Sequence, residues 1–240
     1  MDSPSERPGM ILPALRSWWW VTVAASLFAT TVAAGFVAKS FGPLAPELGL
    51  DISLSHGRNG ALIAVSEAIH YGLGPTGAVA LALTICGYLL WFRGRPVQAL
   101  AFGSVVAAGW LASTAGKILV SRPRPPADAA GSLIAETGNN SFPSGHTAFA
   151  VSLVLAIALV LARGTAQRLA ALAAGSLFIA VVAFSRMYLG VHYLSDVIGS
   201  VLISSAAILA WLPVWNNLIA PRISRLHLIQ GLEARTSKQR

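Results

Sequence analysis

Long apolar runs, broken by charge only at their ends, constrain this chain more than any other feature. Residues 18–38, 74–92, 97–119, 144–161, 168–184 and 192–215 form such runs. Each is close to the ~20 residues that cross a bilayer's hydrocarbon core as a helix. A backbone inside lipid must satisfy its own amides and carbonyls, so the runs are helices rather than open strands. Of the 240 residues, 55% are hydrophobic and 11% charged, whereas soluble domains carry about a quarter charged residues. The fold expected is all-α: a six-transmembrane-helix bundle over residues 18–215, with a tail at 1–17 and a basic tail at 216–240. No internal repeat or second domain is visible.

The remaining segments refine this outline. The first run follows Arg7 and Arg16 and opens on Trp18-Trp19-Trp20. It is longer than a signal-peptide core, and residues 37–40 match a cleavage site only weakly, so a retained helix is expected. The stretch 40–59 is polar and carries Gly and Pro. Residues 60–70 are too short and too polar to span, since they include Glu67 and His70; they are expected as a short interfacial helix between spans one and two. Glu67 and His70 there are either an ordinary polar helix face or the lining of an entrance to a site. Cys86 lies inside an apolar run and is the chain's single cysteine, so no internal disulfide can form.

The net charge is +8, but nucleic acid is not the implied partner, because the basic residues punctuate the apolar runs as membrane flanks do. Six spans place both ends of the chain on one side. Arg7, Arg16, Arg93, Arg95, Arg163, Arg168 and the tail residues Arg222, Arg225, Arg235, Lys238 and Arg240 share that side, which the positive-inside bias makes cytoplasmic. Lys39, Arg58, Lys117, Arg122, Arg124 and Arg186 are left outside. Cations held where topology disfavours them call for an anionic partner.

Three clusters meet on that outer face. In the first, Lys117 ends the third run and Arg122-Pro123-Arg124-Pro125 follows, the prolines holding the backbone extended. Taken alone, it reads rather as a basic helix end followed by a Pro-rich linker. The second is Pro143-Ser144-Gly145-His146, with Ser144 as N-cap of the fourth span. The amides near Ser144, Gly145 and His146 form an anion-binding helix start, unless this is simply a capped helix. The third is Ser185-Arg186 through His192 to Asp196. If His192 opens the last helix, Asp196 lies on the same face four residues on, fixes the imidazole tautomer and frees the other nitrogen to attack an electrophile. Arg186 offers a planar fork for a phosphoryl group. Together the clusters supply several cations, a backbone cradle and two histidines on one face: a site for handling phosphate.

The same residues carry a family resemblance. Lys117, six residues, then Arg124-Pro125; Pro143-Ser144-Gly145-His146; and Ser185-Arg186, five residues, His192, three residues, Asp196 resemble the three motifs of the type 2 phosphatidic acid phosphatase (PAP2) family. These are membrane lipid phosphatases related to vanadium haloperoxidases and bacterial acid phosphatases. The resemblance covers about the second half of the chain and implies a phosphohistidine mechanism. His192 would be the nucleophile, Asp196 its orienting acid and His146 the proton donor to the leaving group. Lys117, Arg124, Ser144, Gly145 and Arg186 would bind the phosphate, and Arg122 is an additional candidate that the pattern does not require. No His/carboxylate cluster suggests a two-metal site, so neither metal nor cofactor is expected.

The substrate expected is a lipid phosphate in the bilayer of a bacterial inner membrane, processed on the extracytoplasmic face. Undecaprenyl pyrophosphate is the first choice, ahead of phosphatidylglycerol phosphate, phosphatidic acid and lipid A phosphates. Two other readings stand beside it: a phosphotransferase of the same family, and a non-catalytic lipid-binding or transport protein. The spans exclude a soluble haloperoxidase-like enzyme.

Overall fold

The computed structural model describes residues 11–43, 45–136 and 138–223; Arg7 and the tail cations beyond residue 223 lie outside them. The elements are α1 (Trp19–Ser40), α2 (Leu48–His56), α3 (Gly60–Gly72), α4 (Pro75–Gly87), α5 (Pro96–Val120), α6 (Gly145–Ala156), α7 (Thr165–Tyr188), α8 (Leu194–Val214) and α9 (Ala220–Ile223). Single π-helical turns at Tyr88–Phe92, Ile157–Leu161 and Trp215–Ile219 prolong α4, α6 and α8. Among the described residues there is no strand.

Five of these elements are long and apolar enough to cross a membrane, and the fourth expected span, observed as Gly145–Leu161, is shorter. The chain is a multi-pass membrane protein. Half of α8's most apolar window is buried, against 17% of that in α1 or α7. The helices therefore sort into central α5, α6 and α8 and outer α1, α4 and α7. The outer helices expose Phe36, Leu83, Trp91, Phe92 and Leu177, an apolar surface that lipid rather than water must cover. Phe102, Phe149 and Trp215, all fully buried, fill the core between α5, α6 and α8.

Local signals fix the helix ends. Proline occupies the first turn of α4 and α5, where its missing N–H costs nothing. The Asn59 side chain accepts the Leu62 amide and caps α3. Ser121, at φ 48°, ends α5 in the left-handed region and turns the chain into the long connection to α6. That connection is pinned by Phe142, whose ring lies between α1 and α8. A Cβ placed on Gly35 or Gly199 would come within 2.6 or 2.4 Å of it, an overpacking that costs about 1–3 kcal/mol.

Three expectations need correction or completion. The stretch 40–59, read only as polar and bearing Gly and Pro, contains a further short helix, α2. Leu48 packs into a small cluster with Ala45, Ala130 and Tyr193, so tertiary packing overrides a weak local pattern. The fifth span does not stop at residue 184; α7 runs on to Tyr188 and carries Ser185 and Arg186 in its last turns. The last helix starts at Leu194, not at His192. Gly190 adopts φ 73° between the two helices, and a Cβ there would meet the Ala130 carbonyl at 2.8 Å.

Candidate active site

A cavity of about 320 Å³ opens at one end of the bundle. It lies among the C-terminal ends of α3 and α5, the N-terminal ends of α4 and α6, and the turn between α7 and α8. Its walls include Lys117, Arg124, Glu136, Gly145, His146 and His192, with Leu73, Pro75 and Trp110 as an apolar side.

His192 lies in the turn just before α8 and is 1% exposed. Its Nδ1 lies 3.3 Å from Asp196 Oδ2 and its Nε2 3.1 Å from an Arg124 guanidinium nitrogen. Arginine can only donate, so Nε2 accepts and Nδ1 carries the proton, directed at Asp196. Burial, reinforced by Arg124, Lys117 and Arg186, holds the ring well below the usual histidine range. The imidazole is therefore neutral, with its lone pair turned towards the cavity. The expected contact with Asp196 is present although the helix starts later. Asp196 stands at the third position of α8 and reaches back to accept the Tyr193 amide at 3.0 Å, the carboxylate half of a capping box. Ser141 Oγ donates to the same oxygen.

Asp196 is held from behind by Arg122. That guanidinium is completely buried and donates to Asp196 Oδ1 at 2.8 Å, to Ser195 Oγ at 2.6 Å and to Glu47 Oε1 at 2.6 Å. It stacks 4.0 Å from the Tyr193 ring centroid. Glu47 closes the network by accepting the Ser195 amide at 2.8 Å. Arg122 does not line the cavity; it stands behind Asp196.

On the cavity side, Arg124 donates to Asn140 Oδ1 and to the Val191 carbonyl at 2.9 Å each, and Lys117 Nζ donates to the Asn140 carbonyl. Arg186 is wholly buried and bridges inward to His70 Nδ1 at 3.0 Å. Glu136 joins the two arginines, with Oε1 2.5 Å from Arg186 and Oε2 2.6 Å from Arg124. Burial alone would raise this carboxyl; Arg186 and Arg124 outweigh it and hold it down at about 2. Arg186 Nε remains buried without an acceptor.

His146, in the first turn of α6, places Nε2 3.0 Å from the His70 carbonyl and stacks its ring 5.4 Å from that of His70. Gly145 faces the cavity, and a Cβ there would approach Lys117 Cε at 3.8 Å. Ser144 holds the N-cap position as expected, but it lies behind the wall. Its amide donates to the Asp196 carbonyl at 3.3 Å and its hydroxyl accepts from Thr147 at 3.3 Å, so it caps no amide of α6. The amides of the first turn, beginning at Gly145, are the ones a helix start leaves without an internal partner.

The structure thus brings His192, His146, Lys117, Arg124 and Gly145 to one cavity, with Arg186 beside it and Asp196 and Arg122 behind. His70 belongs to the cavity wall, whereas Glu67 is not among its lining residues. Sequence reasoning missed Glu136, Asn140, Ser141 and Glu47. The clearest signal for Glu136 was an acid in the connection between two cationic clusters, in a chain with only 9 acidic residues.

Fold and site together define a multi-pass helical protein with a buried histidine–aspartate pair beside an arginine and lysine cradle. The PAP2 superfamily profile matches residues 98–220, just over half of the sequence, and the chain belongs to that superfamily. Its fold resembles the crystal structure of a transmembrane PAP2-type phosphatidylglycerolphosphate phosphatase from Bacillus subtilis, with a TM-score of 0.63 and 19% identity over 90% of this chain and 97% of that one. No curated protein matches the sequence.

Proposed function

We propose that this protein hydrolyses the terminal phosphate of a lipid phosphate or pyrophosphate through a phosphohistidine intermediate. The observation that carries the proposal is the neutral His192, its Nε2 lone pair turned towards a cavity walled by Lys117 and Arg124, with Arg186 one carboxylate away. A nucleophile surrounded by fixed cations is the arrangement phosphoryl transfer needs, since that reaction depends mainly on positioning and on stabilising charge.

In the first step Nε2 forms a bond to phosphorus and the bond to the leaving oxygen breaks. Arg124 leaves Nε2 for an equatorial phosphoryl oxygen, and Asp196 stabilises the charge appearing on the ring through Nδ1–H. A protonated His146 keeps Nε2–H on the His70 carbonyl and gives its other proton to the leaving oxygen. In the second step water attacks phosphorus, its proton passes to His146, and the N–P bond breaks to release phosphate. Lys117, Arg124, Arg186 and the first amides of α6 hold the oxygens. No step requires a metal, and among the described residues no group of three His, Cys, Asp or Glu side chains is placed to hold one.

The cavity sits at the span ends beside an apolar wall of Leu73, Pro75 and Trp110, which suits a phosphate headgroup whose tail remains in lipid. The cations at the opposite end of the bundle, Arg16, Arg93, Arg95, Arg163, Arg168 and Arg222, support cytoplasmic termini and an extracytoplasmic site in a bacterial inner membrane. Undecaprenyl pyrophosphate is the first substrate to test, beside phosphatidylglycerol phosphate and phosphatidic acid. The experiment is phosphate release by purified protein in detergent with chelator present, for wild type and His192→Ala. Chelator-resistant release that is lost in the variant is expected. Release that persists without His192 would remove the mechanism, and loss of phosphate from the donor only when an acceptor lipid is added, with that phosphate recovered on the acceptor rather than free, would make the enzyme a transferase.

A further inference from the structure

Glu136 occupies the place that the proposed function gives to substrate. It is a carboxylate of the chain itself, yet its two oxygens take the two arginines expected to grip the phosphoryl group, at 2.5 and 2.6 Å. It also lines the same cavity as His192 and His146. The exchange that binding demands can be stated in charges and oxygens. Glu136 offers one negative charge and two oxygens. Arg186 Nε, buried, is left without an acceptor, so the carboxylate does not saturate the cradle. A phosphomonoester near neutral pH brings a charge of about −1.5 to −2 and three terminal oxygens, more on both counts. A phosphodiester brings one charge and two free oxygens, no more than Glu136 already supplies.

Resting on the reading of this cavity as a phosphate site, we infer that Glu136 is a specificity-determining residue: a resident anion that terminal phosphates displace and phosphodiesters do not. The consequence is concrete for an enzyme in a bilayer. Phosphodiester headgroups are the bulk of the surrounding lipid, and without a competitor they would fill an electropositive cavity at the membrane surface by mass action. Selectivity here is a difference of affinities, obtained by weakening the unwanted ligand more than the wanted one. The position of Glu136 in the connection between α5 and α6, rather than on a helix, lets it leave without moving a span.

Two soluble probes separate the charge classes without a lipid tail: inorganic phosphate and dimethyl phosphate. Their affinities would be measured by titration calorimetry on detergent-solubilised wild type and Glu136→Gln. Wild type is expected to bind inorganic phosphate and to discriminate strongly against dimethyl phosphate. In the variant dimethyl phosphate should gain at least about tenfold, and the ratio between the two probes should shrink by several-fold. An unchanged ratio, or weaker binding of both probes, overturns the inference while leaving the phosphate site standing. Absence of inorganic phosphate binding in wild type would overturn both. A second measurement needs no substitution. Inorganic phosphate added to wild type should raise hydrogen exchange in residues 132–140 as Glu136 is released; unchanged or slower exchange there would contradict displacement.

Discussion

Arg122 and Arg124 stand two residues apart, separated by a proline, and serve opposite sides of one histidine. On the cavity side, Arg124 meets Nε2 of His192, Asn140 and Glu136, partners that a phosphate would replace. On the far side, Arg122 meets Asp196, Ser195, Glu47 and the Tyr193 ring; its Nε, like that of Arg186, has no acceptor, but it is wholly buried and away from the cavity. The cavity side holds its donors where a ligand reaches them; the far side keeps its donors sealed behind Asp196, away from the cavity. A cation that must bind a substrate has to be affordable to rearrange, whereas one that fixes the orienting acid must not move. Identical side chains in one short segment therefore predict separable losses, one of turnover and the other of fold.

The largest effect should come from the group the two sides share. His192→Ala should abolish lipid phosphate hydrolysis, by at least about 10³-fold, with thermal stability in detergent little changed; a mutant that turns over within tenfold of wild type would reject the nucleophile. Next comes the far side. Arg122→Ala leaves the buried Asp196 without its cation and the half-buried Glu47 without its partner, and breaking a buried pair costs on the order of 3–5 kcal/mol. A lowered unfolding temperature with little folded protein at 37 °C is expected. Arg124→Ala should do the reverse. It retains most stability, because Glu136 keeps Arg186, while kcat/KM falls by roughly 10²-fold through loss of a donor to the transition state. Measuring both parameters on both variants tests the comparison directly. If Arg122→Ala proved stable but inactive, and Arg124→Ala unstable, the two sides would have been assigned the wrong way round.

These separate fates were only partly legible in the sequence. The spans were, because lipid imposes a length and an apolarity that a chain displays without reference to its partners. So were Lys117, Arg124, His146, Arg186, His192 and Asp196, whose spacings tie them to helix ends. Ser144 was legible as a helix start but not as a wall residue, since only packing decides that its amide meets the Asp196 carbonyl. Glu47 and Glu136 were not legible as partners of the arginines. Each lies in a connection whose path is set by contacts 50 to 75 residues away along the chain, and no periodicity records such a meeting. The same holds for α2, which local propensity does not announce and which carries the next acid of the far side.

That acid is Asp51, and it is where the far side is out of balance. Glu47 and Asp196 act on Asp51 as like charges, opposed by Arg122 and Arg58. Asp51 is fully buried and neither of its carboxylate oxygens has a hydrogen-bond partner. Burial, together with the charges of Glu47 and Asp196, raises its pKa from 3.8 to about 7. A carboxyl that holds its proton more tightly when folded binds more protons in the native state than in the unfolded one between those two values. Stability must therefore fall as pH rises from about 4 to about 7, and the whole penalty is present above 7. Asp51→Asn removes the charge and keeps the shape. At pH 8 the variant should unfold at a higher temperature than wild type, by an amount corresponding to roughly 1–3 kcal/mol once relaxation and water entry soften the full shift. Near pH 4 the two proteins should unfold together. Thermal unfolding in the same detergent at the two pH values decides it. A variant no more stable than wild type at pH 8 would mean that Asp51 keeps its charge through a partner the far side already provides, and the contrast between its paired acids, Glu47 and Asp196, and this one stranded acid would be lost.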